Sequence, residues 1–210
     1  MTGIIPLDPK NKEHLNAAAR LHAALLPDSP IPRLGNFFMK KFYYNKLVGG
    51  GLIHCELYRR DEDYVALSAY TEYPYTFMAI GKKRYLFHLI SVLAVSLLSA
   101  PARIRIVWDV LRQGALRDRL RDDGISGEYL SLAVAPESAG FRDPVTGLRI
   151  SNLMFERVID HFKGKHFKEI LLMIKKTNKK SQLFYHTYNA APKEGRFVPE
   201  DCYLKAVPIP

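Results

Sequence analysis

The chain has 210 residues, 48% hydrophobic and 25% charged, proportions that suit one α/β domain with a real core and exclude disorder as the default. Its 31 Lys and Arg against 21 Asp and Glu leave a formal charge of +10, which favours a polyanionic partner such as a phosphorylated cofactor, nucleic acid or a membrane surface. Only Cys55 and Cys202 are present, without C-x-x-C spacing, so neither a disulfide framework nor a structural zinc site is indicated; a reducing cytoplasm fits, and residues 1–10 show no secretory-signal pattern.

Thr2 to Leu7 reads as a short first strand, closed by Asp8-Pro9. From Lys12 to Leu26, Leu15, Ala18, Leu21 and Leu25 or Leu26 recur at helical spacing until Pro27 ends the pattern. A second helix is expected from Arg33 to Leu47, where Leu34, Phe37, Phe38, Phe42 and Tyr43 form an aromatic stripe that either packs in the core or lines a ligand mouth. Gly49-Gly50-Gly51 then turn the chain into an antiparallel hairpin, Leu52 to Tyr58 and Tyr64 to Glu72, around a charged tip. Leu52, His54, Glu56 and Tyr58 share one face of its first strand. His54 reads as a structural side chain at the sheet surface, because no neighbouring feature pairs it with a nucleophile or a metal.

Thr76 to Leu120 is helix-rich. Tyr85 to Ala102 carries no formal charge and approaches the length of a membrane span, but a crossing here would separate strands of one sheet. The segment reads as a buried helix, with interfacial membrane contact, aided by Lys82, Lys83, Arg84, Arg103 and Arg105, as the other reading. Trp108, Val110 and Leu111 suggest a further helix ending near Gly114, and the charged run Arg117 to Asp123 is either a solvated face or a docking patch for an anion.

The remainder alternates strand and helix. Tyr129 to Val134 is an apolar strand; a polar loop runs to Gly147; Ile150, Leu153, Met154, Val158, Ile159 and Phe162 make one helical face; Glu169 to Ile174 is a strand; a helix starts near Lys180. Arg196-Phe197-Val198 and Tyr203 to Val207 read as short final strands.

This order, and the residues from Tyr129 to Asn189, resemble the GNAT superfamily of N-acetyltransferases. Val134-Ala135-Pro136-Glu137 is similar to the family's V-x-P-E strand end. Thr146-Gly147-Leu148-Arg149-Ile150-Ser151 is the nearest match to its pyrophosphate loop, keeping the first glycine and the Ile but placing Arg149 and Ser151 where glycines are usual. Asn178, Ser181, Phe184, Tyr185 and Tyr188, followed by Asn189, stand in the register of the family's N-x-x-A-x-x-F/L-Y motif.

The resemblance implies an α/β (α+β type) fold: a mixed, mostly antiparallel sheet flanked by helices, with a V-shaped splay between strands 4 and 5. Residues 1–210 would form a single domain with a helix-rich insertion over about 76–120. It implies transfer of an acetyl group from acetyl-CoA, bound as co-substrate, to a primary amine by direct attack in a ternary complex. Backbone groups near Leu132, Ala133 and Val134 would hold the pantetheine and thioester carbonyl. Gly147, Leu148, Arg149, Ile150 and Ser151, with Arg142 as a second phosphate candidate, would hold the pyrophosphate through helix-end amides and cations. Asn178 would contact the cofactor arm, Tyr185 would protonate the departing thiolate, and Glu72 is the nearest carboxylate by family position to serve as base. No metal is implied. The acceptor would be a small-molecule or amino-sugar amine, nucleic acid is not expected, and the insertion allows peripheral membrane contact. The competing expectation is a catalytically silent acyl-CoA-binding module that docks on a membrane surface or an anionic macromolecule.

Overall fold

A computed structural model describes residues 2–27, 29–108, 122–193 and 198–210. Seven strands form one sheet in the order β1-β2-β3-β4-β5-β7-β6, in which only β4 and β5 run parallel. Strand β1 (Gly3–Pro6) pairs antiparallel with β2 (His54–Arg60), and β2 with β3 (Asp63–Thr71) through a tight turn in which Asp61 adopts φ 57°. Both hairpin strands extend further toward the tip than the apolar alternation alone indicates. Strand β4 (Ser126–Val134) starts three residues before Tyr129, and β5 (Glu169–Lys175) and β7 (Cys202–Pro208) complete the centre. The last edge is the two-residue β6 (Ala191–Pro192). A strand was expected instead at Arg196 to Val198; Arg196 and Phe197 lie outside the described residues, and Val198 is not in a strand.

Helix α1 (Lys12–Leu25) begins where Asn11 Oδ1 accepts from the Glu13 and His14 amides, and it buries Leu15, Ala18 and Leu21 against the sheet. The aromatic segment expected as one helix is instead broken into α2 (Pro30–Arg33), α3 (Asn36–Phe38) and a π-helix (Met39–Leu47), with Gly35 at φ 99° between the first two. The wider π turn buries Met39, Phe42, Tyr43, Tyr44 and Leu47 together, so the stripe is core, and π turns of this kind are often found beside functional sites. Helices α4 (Phe77–Arg84) and α5 (Leu86–Ser99) follow β3. With α1 and the π-helix they cover one face of the sheet, around Leu57, Leu67 and Ala133.

The other face is covered by α6 (Ile150–Gly164), the parallel crossover from β4 to β5, and by α7 (Lys179–His186). Phe155, Val158 and Phe162 of α6 pack there on Tyr70, Tyr129, Ile170 and Leu172.

The uncharged helix corrects one expectation. It buries Leu89, Val92 and Ser96 but exposes Phe87 (86%), Leu98 (83%) and Ile90. With apolar residues all round, its one covered face takes up a single stripe and leaves the rest outside. Among the described residues no helix is long and apolar enough to cross a membrane. The helix expected from Trp108 toward Gly114 lies outside the described residues beyond Trp108, as does most of Arg117 to Asp123.

Candidate active site

Strands β4 and β5 are paired only from Ser126 with Glu169 to Tyr129 with Leu172. Beyond that point β4 remains paired to β3 and β5 to β7, so the facing edges of Leu130 to Val134 and Met173 to Lys175 have no strand partner in each other. A bulge coincides with the parting: Tyr70 pairs with Tyr129 and Ala69 with Ser131, leaving Leu130 as the extra residue. Such edges leave backbone N–H and C=O groups that a ligand can satisfy.

A cavity of about 640 Å³ occupies this opening and extends beneath α1, α2, α4 and α5. Its floor is β4 from Glu128 to Leu132 and β5 from Leu172 to Lys175, and Asn178, Ser181 and Tyr185 of α7 form one wall. The opposite end is apolar, with Leu25, Ile31, Phe38, Met78 and Leu93.

Tyr185 is 7% exposed and faces Phe155, Phe184 and Tyr129 edge-on at ring centroid distances of 5.2, 5.0 and 6.4 Å. Burial, reinforced by Tyr188, holds its phenol well above its ordinary pKa, so it carries its proton at neutral pH. Asn178 lines the same wall while its side chain caps α7, accepting from the Ser181 amide at 3.0 Å. Leu132 lines the floor; Ala133 packs into the α1-side core and Val134 against the α6 cluster, both on the splayed stretch of β4.

The loop residues lie past the carboxyl end of β4 and not in the cavity wall. Asp143, only 4% exposed, organises them: it accepts from the Tyr58 hydroxyl at 2.7 Å and from the amides of Val145 and Thr146. Burial would raise the Asp143 pKa, but these hydrogen bonds prevail and hold it below the usual carboxylate range. Gly147 turns the loop at φ 71°, Arg142 and Arg149 pair in an antiparallel bridge, and Arg142 Nη1 donates to the Gly147 carbonyl at 2.8 Å. Residues opposed in such a bridge carry their side chains on one face, so Arg142 and Arg149 leave the loop on the same side. No side chain caps the α6 amino end, where Leu148 and Arg149 precede Ile150 and Ser151.

Glu72 stands elsewhere. It is absent from the cavity wall and instead accepts from His161 Nε2 of α6 at 2.9 Å, with His54 Nε2 at 3.3 Å and Lys165 Nζ at 3.6 Å. Partial burial pushes its pKa up, but the His161 hydrogen bond and the Lys165 charge outweigh it and hold it low. Two carboxylate residues do line the cavity, Asp201, which is exposed, and Glu128, which is buried at 5% exposure and lies opposite Thr71. Reading β4 as starting at Tyr129 left this residue in a loop; the alternation of Glu128 with Leu130 was the signal that would have found it. His22, also missed, is a fully buried wall residue whose Nδ1 lies 2.6 Å from the Tyr44 hydroxyl. Burial lowers its pKa to about 4, so it is neutral. Burial and the adjacent Asp201 push the Cys202 thiol, another wall residue, up to about 11, away from nucleophilic use.

The splayed parallel pair, the crossover helix and the strand order are shared with solved structures of acetyltransferases, several of them described as members of the GNAT family. No protein-family model and no curated protein sequence matches the chain. A GNAT-family acetyltransferase from Staphylococcus aureus superposes with a TM-score of 0.58 at 9% identity, covering 100% of both chains. The ribosomal-protein-S18-alanine N-acetyltransferase of Escherichia coli gives 0.54 at 13% identity, covering 100% of this chain and 94% of its own. The PaiA N-acetyltransferase of Thermoplasma acidophilum, solved with coenzyme A, gives 0.53 at 10% identity and 99% coverage of each. At these identities the likeness is one of fold.

Proposed function

We propose that the chain is an acetyl-CoA-dependent N-acetyltransferase acting on a primary amine in a ternary complex. The observation that carries this reading is the cavity at the β4–β5 parting, which holds a protonated phenol, Tyr185, and a buried carboxylate, Glu128, on the walls of one space. The residues present fit the co-substrate. Unpaired strand edges suit an amide-bearing arm such as pantetheine, and the Arg142–Arg149 pair beside an uncapped helix start suits a pyrophosphate.

In this reading the base is Glu128 and not Glu72, because Glu128 faces the cavity and Glu72 does not. Glu128 takes a proton from the ammonium form of the acceptor. The amine nitrogen then bonds to the thioester carbon, and a backbone N–H of the splayed β4 edge stabilises the developing oxyanion. The carbon–sulfur bond breaks as Tyr185 gives its proton to the thiolate. The nitrogen, cationic after attack, releases its second proton through solvent to the tyrosinate, leaving a neutral amide, a CoA thiol and Tyr185 protonated again. Asn178 and Leu132 border the arm of the co-substrate. The acceptor is a small amine, an amino sugar being one candidate. The apolar end of the cavity supports an acceptor with an apolar body.

The deciding experiment measures release of free CoA from acetyl-CoA across an amine panel, alongside thermal stabilisation by acetyl-CoA. Stabilisation with turnover supports the proposal; absence of stabilisation by any CoA thioester rejects it. One observation favours the second reading, a silent acyl-CoA module docked on a membrane: α5 exposes Phe87, Ile90 and Leu98 between Lys83 and Arg84 at one end and Arg105 beyond the other. CoA binding without turnover, together with sedimentation on anionic vesicles, would favour it.

A further inference from the structure

On the α6 face, away from the cavity, three metal-ligating side chains from three elements converge. His54 is the first residue of β2, Glu72 follows the end of β3, and His161 lies in the last turns of α6. Both imidazoles turn the same ring nitrogen, Nε2, onto one carboxylate oxygen, Glu72 Oε1, at 3.3 and 2.9 Å. The three ligand atoms all lie within 4.8 Å of one another. The rings are held by packing: His54 stacks on Tyr70 with centroids 5.1 Å apart and an interplanar angle of 19°, and Tyr70 meets His161 edge-on at 4.9 Å.

An imidazole–carboxylate hydrogen bond needs one histidine. It does not account for a second imidazole 4.7 Å from the first, aimed at the same oxygen. Ligands at about 2.0–2.2 Å from a zinc-like ion stand roughly 3–3.5 Å apart, close to the separations found. We propose that His54, Glu72 and His161 form a binding site for a divalent transition-metal ion of the zinc type, with water completing its shell. Two imidazoles and one carboxylate are a donor set for Zn²⁺, Co²⁺ or Ni²⁺ and not for Mg²⁺ or Ca²⁺. On binding, each neutral ring carries its proton on Nδ1 and presents the Nε2 lone pair.

Lys165 is the competitor. Its ammonium sits 3.6 Å from Glu72 Oε1, on a side chain 55% exposed that can swing into solvent. The ion would clamp the carboxyl end of α6 to β2 and β3, outside the cavity, so its role is structural or regulatory and does not depend on acyl transfer.

The test is titration of the untagged full chain with CoCl₂, followed by visible absorption, then displacement with ZnCl₂. One equivalent of Co²⁺ with the intense bands of a four- or five-coordinate site is expected, along with a higher Tm in ZnCl₂. His161→Gln and His54→Gln should each weaken binding about a hundredfold, while Lys165→Ala should tighten it several-fold, with unchanged circular dichroism confirming the fold. Absence of the bands in the wild-type chain, or equal affinity in a folded His161→Gln or His54→Gln chain, overturns the proposal.

Discussion

Tyr129 and Leu172 are the last residues that β4 and β5 share; the strands part immediately after them, at the bulge on Leu130. Tyr129 stays on the α6 side, where Ser68 Oγ donates to its hydroxyl at 3.0 Å and Tyr185 meets its ring edge-on. The parting therefore sets both the opening of the cavity and the place of Tyr185, the proposed proton donor. Tyr185→Phe keeps the ring packing and removes only the hydroxyl. Its kcat for acetyl transfer should fall about 10²-fold or more, with acetyl-CoA affinity changed little. Single-turnover kinetics with binding measured separately checks this; full turnover would remove Tyr185 from the chemistry.

Much of this arrangement was legible in the chain because periodic segments announce themselves. The apolar strand through Tyr129 to Val134, the helical face from Ile150 to Phe162 and the helix starting near Lys180 all lie where they were read, though the strand begins earlier, at Ser126. What local pattern does not carry is which groups from distant segments share a space. Glu128 was hidden because the strand was read as starting at Tyr129, where the apolar run begins, three residues after the pairing with β5 starts. Glu72 looked like a base by position in the chain, yet His161, distant in sequence, holds it on the other face. For α5, an uncharged composition indicated burial, but it cannot show that only one side has a partner.

The Arg142–Arg149 bridge sets two cations on one face of the loop, while the nearby Asp143 spends its oxygens on Tyr58 and Thr146. If a pyrophosphate occupies this place, Arg149→Ala and Arg142→Ala should each raise the acetyl-CoA KM about tenfold, the scale of one charge-assisted hydrogen bond, and leave kcat nearly unchanged. A comparison with dephosphorylated or truncated pantetheine thioesters separates the effect: the variants should bind the truncated thioester as well as the wild type does.

His22 provides a pH dependence of stability. Its pKa is about 4 in the folded chain against 6.5 for the ordinary group, so protons bind the unfolded chain first as pH falls. The contribution of neutral His22 is complete above about pH 6.5, declines as pH falls and is gone near pH 4, a loss of up to about 3 kcal/mol. Urea unfolding across this window should show the wild-type chain losing stability more steeply than His22→Asn. Parallel curves would show that the His22–Tyr44 pair is not what titrates.

Gly127 is the point where β4 lies against α6. A Cβ there would stand 2.2 Å from Cε1 and 2.3 Å from Cζ of Phe162, a ring with no exposed surface, so the glycine is required by close approach and not by its backbone angles. Because Gly127 pairs with Ile170 within the four-residue stretch that joins β4 to β5, displacing the ring also strains the base of the parting. Gly127→Ala should destabilise the fold by about 1–3 kcal/mol, the usual cost of overpacking. Phe162→Leu alone leaves a void, but combined with Gly127→Ala it makes room for the new methyl, so the double variant should be more stable than the two single losses added together. Denaturant unfolding of all four chains measures that coupling, and strict additivity would show that the Gly127–Phe162 contact does not set the approach of helix to sheet.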